Sequence, residues 1–161
     1  ARIYFNKILS LKPDDFEVIK DLGKTYQATE DTDTAKKYYQ RALEINDKYA
    51  PALTNLGVIE ICKGNKKEAL SLLIKATEAD PQSAPAWINL ANVYVQLGKG
   101  QEAIAACIKT IELSPNLFNP HFLLSKILIG QKKLKQAEVH LRKTIELKPD
   151  LSQAYLYLGE I

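Results

Sequence analysis

Residues Ala84–Leu117 read APAWINLANVYVQLGKGQEAIAACIKTIELSPNL. Trp87, Leu90, Ala91 and Tyr94 fall at i, i+3, i+4 and i+7, which is one face of an α-helix. Gly98 follows, suited to the left-handed residue that ends a helix, and a second amphipathic run leads to Pro115, which stops it. The stretch predicts a helical hairpin, helix A then helix B.

The same pattern recurs outward in both directions. Gly23, Gly57, Ala91, Ser125 and Gly159 stand 34 residues apart, each preceded by leucine: Leu22, Leu56, Leu90, Leu124 and Leu158. Ala1, Ala35, Ala69, Ala103 and Ala137 keep the register, as do Pro13, Pro81, Pro115 and Pro149, with Asp47 where the proline is absent. Helix B is read from Ala69, Leu73 and Ala76, and again from Ala137, Leu141 and Thr144. Pro51 and Pro85 fall in the first turn of helix A, where a missing N–H costs nothing. Small residues midway along helix A and at the start of helix B let the two axes approach closely. A fixed period of this length predicts stacked repeats, stabilised by neighbour on neighbour, in place of one central core.

The whole chain is 161 residues, 46% hydrophobic and 25% charged, which excludes disorder, a collagen-like chain and a disulfide scaffold. No stretch approaches the ~20 apolar residues needed to span a bilayer. Twenty-two basic and 19 acidic residues are too balanced for a nucleic-acid footprint, and Lys132, Lys133, Lys135, Arg142 and Lys143 read as a solvated outer face. Cys62 and Cys107 form neither a Cys-x-x-Cys pair nor a disulfide framework and fit a reducing compartment. The chain opens with Ala1 and has no Met, so its natural start is expected upstream; the cytoplasm is the favoured location.

In constant register over the full length, this pattern resembles the tetratricopeptide repeat family, with Ala84–Leu117 the nearest to its signature. The resemblance implies an all-α, right-handed superhelical solenoid of antiparallel helix pairs. The units are 16–49, 50–83, 84–117 and 118–151, with 1–15 an orphan helix B and 152–161 an orphan helix A. Phe5 and Ile8 at one end, and Tyr155, Leu158 and Gly159 at the other, then lack partner helices, and the expectation is that either further chain covers these faces or two copies associate end to end. The RNA-reading pentatricopeptide class has a longer period and a more basic surface, so nucleic acid is not an expected partner.

Departures from the family signature carry their own expectations. Glu60 stands where Tyr or Leu is usual and is expected to be buried, with a raised pKa or a paired cation. His121 stands where Trp or Leu is usual and reads as a packed histidine with one partner, having no metal ligand at helical spacing. Thr110 and Thr144 replace alanines and are expected to bond the carbonyls of Ala106 and His140. The run Gly23, Lys24, Thr25 lacks the earlier glycine of a phosphate loop, Val18 standing in its place. No catalytic residue, metal site or cofactor is assigned.

What the resemblance implies instead is recognition of a protein or peptide partner in a concave groove lined by helix A. The groove positions include Asn55, Asn89 and Asn92, the apolar Val58, Ile88 and Phe122, and the cationic Lys20 and Lys24. Asn55 and Asn89 are similar to an asparagine ladder whose amides meet a peptide backbone, an amide offering both donor and acceptor. Thr54, Ile61, Cys62, Val95 and Ile129 extend the groove set. The carboxylate clamp of some co-chaperones finds only two agreements among Lys20, Lys24, Asn55, Pro85 and Asn89. The expected role is a non-catalytic interaction or scaffolding module; the alternative is the substrate-docking arm of a larger enzyme such as a glycosyltransferase.

Overall fold

Proline or aspartate marks the start of four helices in the computed structural model, which describes residues 2–161. Ten helices follow in order among the described residues: α1 (Arg2–Leu11), α2 (Phe16–Gln27), α3 (Thr32–Ile45), α4 (Ala50–Cys62), α5 (Lys66–Ala79), α6 (Ala84–Gln96), α7 (Gly100–Leu113), α8 (Phe118–Gly130), α9 (Leu134–Leu147) and α10 (Ser152–Gly159). The even-numbered helices begin at 34-residue intervals from Phe16 to Ser152. The Asp15 carboxylate accepts from the Val18 N–H at 3.2 Å and Asp31 from the Thr34 N–H at 3.1 Å, capping α2 and α3. In α4 and α6 a proline occupies the first turn. Ala1, the first member of the alanine register, lies outside the described residues.

The chain divides at Pro81/Gln82 into two units. In the first, α2 pairs with α3 and α4 with α5; in the second, α6 pairs with α7 and α8 with α9. This is an all-α array of helix pairs. Gly64 and Gly98 turn from one helix to the next with φ of +80° and +71°. Glu30 and Lys132, at the same register, adopt φ of +62° and +59°. The hairpin thus demands a left-handed residue there whether or not glycine supplies it, at a cost of about 1–2 kcal/mol for a residue with a Cβ.

The glycines midway along the helices mark the close approach. A Cβ at Gly23 would lie 2.6 Å from Cε1 of Tyr39, and one at Gly57 would lie 2.7 Å from Cγ of Leu73. Each large side chain is fully buried. The first unit's core gathers Ile19, Ala35, Tyr39, Ala42, Tyr49, Ala52, Leu56 and Ile59, while Ala91, Ala106, Cys107, Leu124, Leu128 and Ala137 form a cluster in the second. Hydroxyls replacing alanine methyls are satisfied inside their own helices: Thr110 Oγ1 donates to Ala106 O and Thr144 Oγ1 to His140 O, both at 2.8 Å.

Glu60 meets its expectation through a paired cation, without a raised pKa. The side chain is buried, and its carboxylate accepts from Lys36 Nζ and from Asn65 Nδ2, each at 2.7 Å. The Asn65 and Lys36 hydrogen bonds outweigh desolvation, so its pKa is lowered, not raised. Towards the chain ends, Ile8, Tyr155, Leu156 and Gly159 are exposed, and Phe5 and Leu158 half-buried.

Candidate functional site

The candidate groove residues are carried on the even-numbered helices. In the second unit, α6 supplies Ile88, Asn89 and Asn92 at i, i+1 and i+4, and α8 supplies Asn119, Phe122, Leu123 and Lys126 at i, i+3, i+4 and i+7. Such spacings present one face of each helix, and together these seven side chains line an open recess of about 340 Å³. Its apolar lining is Ile88, Phe122 and Leu123, all half-buried, and the Phe122 ring lies 5.9 Å from Tyr157 of α10, tilted by 53°.

Its rim is polar and uneven in commitment. Asn89 Nδ2 donates to Pro85 O at 2.8 Å, leaving its amide oxygen to accept. The Asn92 and Asn119 side chains hold no hydrogen bond among the described residues. Lys126 reaches over the Phe122 ring, with Nζ 5.8 Å from the centroid. Ile88, Asn89, Asn92 and Phe122 are expected groove residues, as is Leu123 at the position equivalent to Asn89, and the structure brings these five together; Asn119 and Lys126 lie outside the expected set. Asn119 is one turn ahead of Phe122 on α8 and Lys126 one turn beyond it, so the helical period already pointed to both.

The candidates of the first unit stand differently. Lys20 is held by Glu17 at 2.8 Å and by Asp21 at 3.0 Å, all on α2. Lys24 is exposed, Val58 and Asn55 are half-buried, and Asn55 Nδ2 sits inside without a hydrogen-bond partner. Thr54, expected in the groove, is buried and donates its hydroxyl to Ala50 O at 2.8 Å. The Thr side chain is short enough to bond back to its own helix.

One polar contact escaped the sequence reading. His121 on α8 and His140 on α9 meet with their Nδ1 atoms 3.1 Å apart. They are 19 positions apart in sequence, but folding the hairpin back about residues 131–133 brings them opposite one another. Burial holds both pKa values below the usual histidine range, so near neutral pH one ring donates and the other accepts. The reference pKa of 6.5 is the unfolded value, and a depressed folded value gives stability that is present above it and lost as pH falls toward the folded one. The melting temperature is therefore expected to drop between about pH 7 and pH 5, and to drop less in His121→Leu. Parallel slopes for parent and variant in a pH series would contradict this.

Among the described residues no three His, Cys, Asp or Glu side chains gather as a metal ion requires, and no helix is long and apolar enough to cross a membrane. Cys107 is buried, and burial pushes its thiol up to about 12, which keeps it protonated.

No curated protein matches the sequence. Among solved structures, the chain superposes on YrrB, described as a TPR protein with an unusual peptide-binding site, with a TM-score of 0.83 and 22% identity, over 97% of this chain and 80% of that one. It superposes on PilF of Pseudomonas aeruginosa with a TM-score of 0.89 and 19% identity, over 97% and 71% respectively. For MamA the TM-score is 0.78 at 23% identity, over 92% and 87%. These likenesses show the α–α solenoid fold. Residues 1–114 match the family profile of the middle TPR-like domain of cilia and flagella-associated protein 70, and residues 119–151 match a tetratricopeptide repeat. With its helix pairs, its close-approach glycines and a profile match across more than half its length, the chain belongs to the tetratricopeptide repeat family, in the group described by that ciliary TPR-like domain.

Proposed function

We propose that the α6–α8 face binds an extended peptide segment of a partner protein, and that the chain is a non-catalytic interaction module. The observation that carries this is the recess itself: the apolar side chains of Ile88, Phe122 and Leu123 beside the Asn92 and Asn119 amides, which have no hydrogen-bond partners among the described residues. Apolar side chains anchor a ligand, and amides read backbone groups by donating and accepting at once. Asn55 and Asn89 are kept as backbone-reading candidates, Asn89 through its free oxygen. The peptide-binding site named for YrrB supports the reading, and the ciliary family profile makes cilia and flagella the first place to seek the partner.

The test is a peptide selected on the full chain from a random display library, followed by calorimetry. Placing two carboxylates in the apolar lining by Ile88→Glu with Phe122→Glu is expected to weaken binding at least about 10-fold while leaving the far-ultraviolet circular dichroism unchanged. Undiminished affinity would put the ligand on another face.

A further inference from the structure

We infer that the segment bound at the α6–α8 recess carries a carboxylate side chain, held by Lys126 and by the Asn92 and Asn119 amides, next to an apolar side chain resting on Ile88 and Phe122. This rests on the peptide-binding reading above and adds the chemistry of the partner.

The charge distribution of the second unit supports it. No Asp or Glu occurs anywhere in α6, α8 or α10; every acidic residue from 82 onward lies in α7, in α9 or outside the helices. Three of those six acids engage cations of their own helices: Glu112 pairs with Lys109, Glu138 with Arg142 and Glu146 with Lys143. Lys126 has no ion pair among the described residues, and the group it overlies is the Phe122 ring. The first unit shows the opposite arrangement, since Lys20 on α2 is neutralised by Glu17 and Asp21 beside it. The recess thus offers one uncompensated cation and two unpartnered amides, with no acid to receive a basic side chain.

A carboxylate has only acceptors and takes several N–H donors at once, in hydrogen bonds strengthened by its charge. A ligand lysine placed there would meet Lys126 with no counter-charge. A neutral glutamine could use the amides but would gain nothing from the cation. Because Lys126 is exposed, the preference for acid is of moderate size and screened by salt.

The experiment takes the library-selected peptide, acetylated and amidated so that no terminal carboxylate competes, and varies each position in turn among Glu, Gln and Lys. Fluorescence anisotropy against the full chain is expected to find one position where Glu binds about 3- to 5-fold tighter than Gln, and Lys weakest, with the difference shrinking at high salt. Lys126→Met should bring the Glu and Gln affinities together, and Lys126→Glu should reverse the order of Glu and Lys. Equal binding of Glu and Gln at every position, in a peptide still lost to Ile88→Glu with Phe122→Glu, would overturn the acidic partner and leave the groove standing. A peptide insensitive to those two substitutions would overturn both.

Discussion

Tyr39→Ala is expected to lower the stability of the chain by about 3–5 kcal/mol, the range for emptying a large aromatic site in a core. Tyr39 is fully buried, its ring lies against the backbone of Gly23, and its hydroxyl donates to Gln27 Oε1 at 2.9 Å. The cavity would open between α2 and α3, lined by Ile19, Ala35 and Ala42. A companion substitution separates close packing from simple loss of volume. In the parent, Gly23→Ala drives a methyl into a rigid ring and is expected to cost about 1–3 kcal/mol. In Tyr39→Ala that ring is gone, and the better helix propensity of alanine, about 1 kcal/mol over glycine, is expected to turn the loss into a gain. Urea melts of the four proteins give the coupling directly. If the two substitutions add without interaction, the glycine is not there for the tyrosine.

Glu60→Ala is expected to cost about 2–4 kcal/mol, less than the usual figure for breaking a buried ion pair, because Lys36 and Asn65 can turn to water. The carboxylate is almost fully enclosed while the Lys36 side chain is 28% exposed. Glu60→Leu fills the space and is expected to lose less than Glu60→Ala; the lowered pKa argues against the gain in stability that a strained, desolvated carboxylate would have implied. Since the folded pKa lies below the reference 4.5, this contribution is complete above about pH 4.5 and is lost as pH falls through the folded value. The stability difference between parent and Glu60→Gln should therefore be constant near neutrality and shrink in acid. A difference that grows on acidification would reverse the sign of the argument.

The helix pairs were legible because they rest on steric requirements that repeat. Gly57 can be read from the sequence as a contact point since only a missing side chain lets Leu73 sit where it does, and the requirement returns every 34 residues. Individual polar choices follow no such period. Thr54 occupies a groove position by count yet turns its hydroxyl to its own helix, and the His121–His140 contact depends on the antiparallel register of one hairpin. Glu60 was legible as buried, but the direction of its pKa depended on Lys36 and Asn65, which lie on other elements. At the recess, Ile88, Asn89, Asn92 and Phe122 came from family positions; Lys126 was overlooked because the sequence does not show which cations remain without acids.

Glu60 belongs to α4, yet the lysine it holds comes from α3 of the preceding hairpin and the amide from the turn leading into α5. In a one-dimensional lattice of repeats, each with its own intrinsic stability, cooperativity resides in the terms between neighbours. The bond from α3 to α4 is such a term, and it carries a proton-sensitive charge. Acid therefore weakens the link between the α2–α3 and α4–α5 hairpins together with the Asn65 bond inside the α4–α5 hairpin, and amide exchange in acid should begin to report the α2–α3 hairpin opening separately where near neutrality the two open together.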